Sequence, residues 1–274
     1  KNFKTDRDID LARKEISAAC AVAAQKPEGV YRLNVPTGGG KTLSSLRYAL
    51  EHAKKYHKKR MFFVMPLLSI IEQNAQEIRK AVQDDSIILE HHSNVIDDEN
   101  SDVEELNKRE LLIQSWDNPI VITTLVQLLN TMFLGKTSSV RRFSSLCNSV
   151  IVFDEVQSLP NTMLTLFNLT INFLVKKCHV TVILCSATQP SFENAEHKLL
   201  SEVSDLITLP SETLKVFERV ELVDKGSMSM EELSDFALEI IRSKKSLLVV
   251  CNTKREANEL FESLQAEVSG VIPM

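Results

Sequence analysis

The chain has no run of the roughly 18 to 20 consecutive apolar residues that a membrane helix requires, and no apolar signal core follows its opening Lys1-Asn2-Phe3-Lys4-Thr5-Asp6. Neither a membrane span nor a secretory leader is expected in it, and no membrane partner. Cysteine is sparse and unpatterned: Cys20, Cys147, Cys178, Cys185 and Cys251 are an odd number with no Cys-x-x-Cys among them. That argues against a disulfide framework and a cysteine-held zinc, and fits a reducing cytoplasm. A basic excess is missing as well. The net charge is −5, whereas a protein that grips phosphates mainly through lysine and arginine is usually basic. A nucleic acid bound here would have to be held by backbone amides and hydroxyls. Low-complexity bias is absent, so 274 residues should fold as one large domain or about two.

What is present is a regular alternation. Apolar, β-branched runs at residues 30–35, 61–65, 87–89, 120–123, 150–153 and 180–184 read as strands. Helical periodicity fills the intervals at 43–56, 70–82, 125–133 and 163–175, and an Ala-rich helix is expected at 9–24. Strands apolar on both faces and separated by helices imply an α/β fold, a parallel sheet covered by helices on each side. The acidic run at 97–105 reads as a solvated loop opening a helix. After Thr188 the pattern lapses into a connector at 201–218 containing Pro210. A second α/β pattern follows, with strands at 219–223 and 246–251 and helices at 230–242 and 255–264. The expected division is therefore 1–209 and 218–274, the latter too short for a complete domain.

Three segments carry chemistry. Pro36-Thr37-Gly38-Gly39-Gly40-Lys41-Thr42 lies between a strand and a helix. In such a P-loop the glycines free backbone amides for the phosphates, the lysine neutralises their charge and the hydroxyl after it ligates magnesium. The loop has Val35 where the strict pattern wants a glycine, which narrows the class of protein. An apolar strand ends in Asp154-Glu155-Val156-Gln157. Beside a P-loop its two acids divide the work, Asp154 holding a hard cation with Thr42 and Glu155 facing the attacking water. Ser186-Ala187-Thr188 closes a further strand.

P-loop, then Asp-Glu, then Ser-Ala-Thr, each at a strand's end, is the order found in superfamily 2 helicases of the DExD/H type. Together with Ala49-Leu50-Glu51-His52-Ala53, Leu89-Glu90-His91-His92-Ser93-Asn94 and Leu248-Val249-Val250-Cys251-Asn252-Thr253, these segments resemble the CRISPR-associated helicase-nuclease of type I systems over nearly the whole chain. The resemblance implies a RecA-like ATP-binding lobe at 1–209 and the start of a second RecA-like lobe at 218–274. It implies ATP and Mg as cofactors, movement 3′ to 5′ along single-stranded DNA, and a CRISPR surveillance complex and a nuclease domain, on the same or a separate chain, as partners. By the same match Lys41, Asp154, Glu155 and Gln157 are catalytic, and Pro36, Thr37, Gly38, Gly39, Gly40, Lys41 and Thr42 hold ATP. Ser186, Ala187 and Thr188 couple hydrolysis to the strand.

Pro66, Ser69, Gln73, Thr123, Thr124 and Gln127 fall in strand-contacting motifs, or else are helix caps and surface amides. Arg13 is an adenine-side residue or a helix-surface arginine. The family's histidine-aspartate nuclease site and its second-lobe arginines are not expected within this chain. An ATP–Mg complex with little DNA-stimulated hydrolysis is the corresponding expectation. Another superfamily 2 helicase, a P-loop phosphotransferase using Arg141-Arg142 as a lid, and a nucleotide-binding fragment without activity of its own are the alternatives. The basic run at 52–60 reads as a solvated helix end and Trp116 as a packing anchor.

Overall fold

Among the described residues seven strands lie side by side and all run the same way. The computed structural model describes residues 8–66, 68–92, 103–186, 196–218, 220–243, 246–268 and 270–272. The strands are β1 (Val30–Asn34), β2 (Arg60–Met65), β3 (Ile88–His91), β4 (Ile120–Thr124), β5 (Ser149–Phe153), β6 (Thr181–Ser186) and β7 (Val203–Asp205), in the spatial order β3-β4-β2-β5-β6-β1-β7. Every pairing is parallel, with Phe63 opposite Ile122 on one side and Val152 on the other. Parallel strands need crossovers, and helices supply those from β1 to β6. Helix α1 (Asp8–Ala23) precedes β1; α2 (Lys41–Tyr56), α3 (Leu68–Val82), α4 (Val103–Ser115), α5 (Leu125–Phe133), α6 (Thr137–Leu146) and α7 (Leu164–Cys178) lie between these strands; α8 (Ser211–Lys215) follows β7.

The period-2 alternation of each strand divides its side chains between two cores. Leu33, Phe63, Met65, Ile122, Val152 and Ile183 pack against Ile16, Leu46, Tyr48, Ala49, Ile71 and Ile78 of α1, α2 and α3. Their neighbours Phe62, Val64, Val121, Ile151, Phe153 and Leu184 pack against Leu125, Leu128, Phe167, Ile171 and Leu174 of α5 and α7. Burial of each such side chain contributes about 1.5–3 kcal/mol, so the apolar runs make a rigid sheet whose C-terminal edge can carry loops. Both faces are covered, as the sequence leads one to expect. Trp116, fully buried against Phe62 with its Nε1 donating to His91 Nδ1 at 3.0 Å, is the anchor it was expected to be.

Three expectations need correction. The connector at 201–218 contains β7, which pairs with Val30–Arg32. Its three residues are mostly exposed, so no apolar run announces it, and it is pinned by Leu206, buried, whose amide donates to the Arg32 carbonyl at 2.7 Å. Within the basic run, His52 and Lys58 are buried. His52 Nε2 meets Thr181 Oγ1 at 2.9 Å and its Nδ1 the Ala24 carbonyl at 3.0 Å, while Lys58 Nζ pairs with Glu28 and donates to the His179 carbonyl. Only Lys54, Lys55, His57 and Lys59 present the expected solvated face.

The third correction concerns residues 220–274. The chain divides into two units, Lys1–Arg219 and Val220–Met274. In the second, α9 (Met230–Ser243) and α10 (Lys254–Glu267) form as expected and share the small core Ala237, Leu238, Leu260 and Leu264. The expected strands there do not appear at 220–223 or 246–251. Among the described residues neither segment has a strand to pair with, and a lone extended segment cannot satisfy its amides as a ladder. The acidic run at 97–105 lies mostly outside the described residues; helix α4 opens at Val103.

Candidate nucleotide site

In a parallel sheet every strand's C-terminal end lies on one edge, where helix N-termini and loops collect. β1 delivers the glycine-rich loop there, β5 delivers Asp154 and Glu155, and β6, lying between them, ends at Ser186 opposite Asn34. The loop turns tightly, the Gly39 amide donating to the Pro36 carbonyl at 2.9 Å. Gly38 and Gly40 have φ of 81° and 79°, backbone that a glycine adopts without penalty. At Gly39 the requirement is space: a Cβ would lie 2.4 Å from Val35 Cγ1 and 3.0 Å from the Pro36 oxygen. α2 starts at Lys41 with no side chain capping it. Its first amides are therefore left for an anion.

Side chains close the site. Lys41 Nζ donates to Glu155 Oε1 at 2.9 Å. Glu155 sits at φ 49°, ψ 45°, a left-handed backbone that costs a non-glycine residue about 1–3 kcal/mol and persists where its surroundings hold it. Here Lys41 grips one carboxylate oxygen, Gln157 Nε2 donates to the other, and Ser158 Oγ donates to the Glu155 carbonyl at 2.9 Å. Burial alone would push this carboxyl up, but the hydrogen bonds from Lys41 and Gln157, with the Lys41 charge, outweigh it and hold Glu155 below the usual carboxylate range. Asp154 goes the other way. It is buried, and burial together with the Glu155 charge raises its pKa against the opposing effects of Lys41, the Glu155 amide and Asn74. Two neighbouring carboxyls thus have environments that pull them apart.

The structure brings together Pro36, Thr37, Gly38, Gly39, Gly40, Lys41, Thr42, Asp154, Glu155 and Gln157, drawn from β1–α2 and the end of β5. Arg13 reaches the same loop from α1, its Nε donating to the Gly38 carbonyl at 2.8 Å and its Nη1 to Asp10 at 3.2 Å. Ser186 is buried at the end of β6. Ala187 and Thr188 lie outside the described residues, as does the side chain of Ser69. Pro66 is half-buried just past β2, and Gln73 is exposed on α3. Thr123 is buried with its hydroxyl donating to the His91 carbonyl at 2.8 Å. Thr124 caps α5, accepting from the Gln127 amide at 3.2 Å.

One site residue carried no expectation. Asn74 joins Thr42 to Asp154, Oδ1 accepting from Thr42 Oγ1 at 3.1 Å and Nδ2 donating to Asp154 Oδ2 at 3.0 Å. A signal was present. Ile71, Asn74, Ala75 and Ile78 follow the i, i+3, i+4, i+7 spacing of a buried helix face, and an amide on such a stripe needs partners.

A glycine-rich loop between a parallel strand and a helix, facing an acidic pair two strands away, is the plan of a P-loop nucleotide-binding α/β protein. A model of the DEAD/DEAH box helicase family matches residues 16–196, and the chain belongs to that family. It is 25% identical over 258 residues to a putative CRISPR-associated nuclease/helicase Cas3 of Methanocaldococcus jannaschii, covering 88% of this chain and 34% of that protein. It is 28% identical over 187 residues to the CRISPR-associated nuclease/helicase Cas3 of Haloferax volcanii, covering 61% of this chain and 20% of that one. The chain thus spans about a third or less of the length of the curated relatives it matches. The T. fusca Cas3-ATP crystal structure superposes with a TM-score of 0.63 at 18% identity, over 97% of this chain and 35% of that one. At that identity the likeness concerns the fold, which is RecA-like. Among the described residues no helix is long and apolar enough to cross a membrane.

Proposed function

We propose that residues 1–209 are the first motor lobe of an ATP-dependent single-stranded DNA translocase, a helicase serving a CRISPR type I effector, and that 218–274 begin its second lobe. The reading is carried by one observation: Lys41, Glu155, Asp154, Asn74 and Thr42 form a continuous hydrogen-bonded chain around the uncapped N-terminus of α2. The nuclease/helicase relatives, and the T. fusca Cas3-ATP crystal structure, support the choice of nucleotide and of system.

The amides of Gly38 and Gly40 and those that open α2 receive the phosphate oxygens, while the Gly39 amide holds the turn through the Pro36 carbonyl. Lys41 leaves Glu155 for the phosphates, exchanging one anion for another. Glu155, released and already turned into the site by its left-handed backbone, orients the attacking water and takes its proton. Gln157 stays on the second Glu155 oxygen and fixes the carboxylate plane. Thr42 and Asp154 suit magnesium, since both are hard oxygen donors linked through a single amide. Bound there, the ion supplies positive charge beside the phosphate oxygens. Ser186, at the end of β6, with Ala187 and Thr188 next in the sequence, transmits the state of the site. Pro66, Ser69 and Gln73, which follow β2 in the chain, and Thr123, Thr124 and Gln127, at and after the end of β4, are the strand-contacting residues, and the strand advances 3′ to 5′. Hydroxyls committed at Thr123 and Thr124 leave backbone amides and Gln127 as the groups offered to phosphate.

Calorimetry with ATP and magnesium tests this. A hydrogen bond to a charged group contributes about 1.5–3 kcal/mol, so Lys41→Ala should weaken binding roughly ten- to a hundredfold. Unchanged affinity would overturn the site, and failure of the wild-type chain to bind labelled single-stranded DNA in any nucleotide state would overturn the motor.

A further inference from the structure

Asn74 is 6% exposed and packs beside Met65, with Nδ2 3.7 Å from its sulfur. Its two polar atoms face two different kinds of group. Oδ1 can only accept, so the Thr42 hydroxyl must donate to it. A hydroxyl has one proton and two lone pairs, and once the proton is committed the lone pairs point elsewhere. Nδ2 can only donate, so Asp154 Oδ2 must accept. The Glu155 amide occupies Asp154 Oδ1 in the same way at 3.0 Å. Each carboxylate oxygen keeps a second lone pair.

Other side chains would not reproduce this. A leucine would fill the volume and leave both partners unsatisfied, and an aspartate would set a second carboxylate against Asp154. We propose that Asn74 is a positioning residue for a divalent cation. It turns the proton of Thr42 away from the site and holds the Asp154 carboxylate beside it, so that both oxygens are ready as a pair. The inference rests on the nucleotide-site reading above and adds to it a residue that acts through its neighbours. Groups that orient metal ligands in this way typically change metal affinity about 10- to 100-fold when removed.

The test uses the full chain as wild type, Asn74→Ala, Asn74→Leu and Lys41→Ala. A non-hydrolysable ATP analogue is titrated calorimetrically in magnesium and in excess EDTA, and Mn²⁺ binding to the nucleotide complex is followed by paramagnetic resonance. Melting temperatures without nucleotide report folding, with Asn74→Leu keeping the volume should Asn74→Ala not fold. The expected result is a loss of about 10- to 100-fold in Mn²⁺ affinity for both Asn74 variants, with their affinity in EDTA held within about twofold of wild type because no phosphate-binding group has changed, whereas Lys41→Ala loses affinity in magnesium and in EDTA alike. Equal losses with and without metal would show a merely structural role and overturn the proposal, as would Mn²⁺ affinity that stays at the wild-type level. A wild-type chain that binds no nucleotide under either condition would instead overturn the nucleotide site itself, and Asn74 with it.

Discussion

In the proposed function Lys41 serves two anions in turn, and the first of them is Glu155. Its contact with Glu155 is short and mostly shielded, with side-chain exposures of 11% and 24%, so an incoming phosphate must compete with a carboxylate already in place. Glu155→Gln removes that competitor together with a negative charge near the phosphates. The expected outcome is ATP affinity several-fold higher by calorimetry and phosphate release reduced to background; weaker binding would show that Glu155 holds Lys41 in place for the nucleotide. Gly39 makes a second case. Gly39→Ala forces Val35 Cγ1 or the Pro36 carbonyl to move, an overpacking penalty of about 1–3 kcal/mol, whereas Gly135→Ala meets nothing within 4 Å. Chemical denaturation should separate the two, and equal midpoints would refute the steric reading.

Elements explain what was legible in the sequence and what was not. The strands that build the sheet are apolar on both faces because helices cover both, so their runs were visible without knowing the order of the strands. The P-loop and the acidic pair were visible because each is a local pattern at a strand's end. Polar residues with distant partners were less so. His52 reads as part of a basic run until Thr181, 129 positions away, is beside it, and β7 is seen as a strand only once it pairs with β1. The cluster joining β3, α4 and α6 is of the same kind. His91 accepts from Trp116, over whose ring Arg142 lies at 5.5 Å, while its neighbours Glu90 and His92 touch and Glu90 also pairs with Arg79 of α3.

Burial, then the charges of Arg142 and His92, lower the His91 pKa from 6.5 to about 4. Above pH 6.5 the ring is neutral folded and unfolded, and stability is unaffected. Between 6.5 and about 4 the unfolded chain takes up a proton that the folded one does not, so stability is lost as the pH is lowered through this window and levels off below it. The loss should be on the order of 2 kcal/mol for a partly exposed ring. His91→Asn, which cannot titrate, should flatten the urea-denaturation profile across that range; an unaltered slope would assign the loss to other groups.

For the whole molecule the two units differ in how much core holds them. Residues 8–219 bury two clusters on opposite faces of seven strands, whereas the helices of 220–272 share four buried side chains and leave Val220, Leu222 and Val250 largely exposed. A small core supports little independent stability, and amides open at free energies set by the unit that encloses them. Hydrogen exchange should therefore find the slowest amides in β2, β5 and β6, and faster ones throughout α9 and α10. Leu260→Ala should lower protection in α9 and α10 by up to about 2–5 kcal/mol, limited by the total stability of that unit. Nucleotide at 100 times its dissociation constant should add about 2.7 kcal/mol to the unit that contains the P-loop, and Lys41→Ala, binding roughly ten- to a hundredfold more weakly, should cut that gain at the same concentration to about 0.4–1.4 kcal/mol. If Leu260→Ala instead lowers protection in β5 by the same amount as in α10, the chain unfolds as one cooperative body and the division at Arg219 has no energetic meaning. If β5 keeps its protection, the P-loop unit holds its catalytic geometry on the strength of its own sheet.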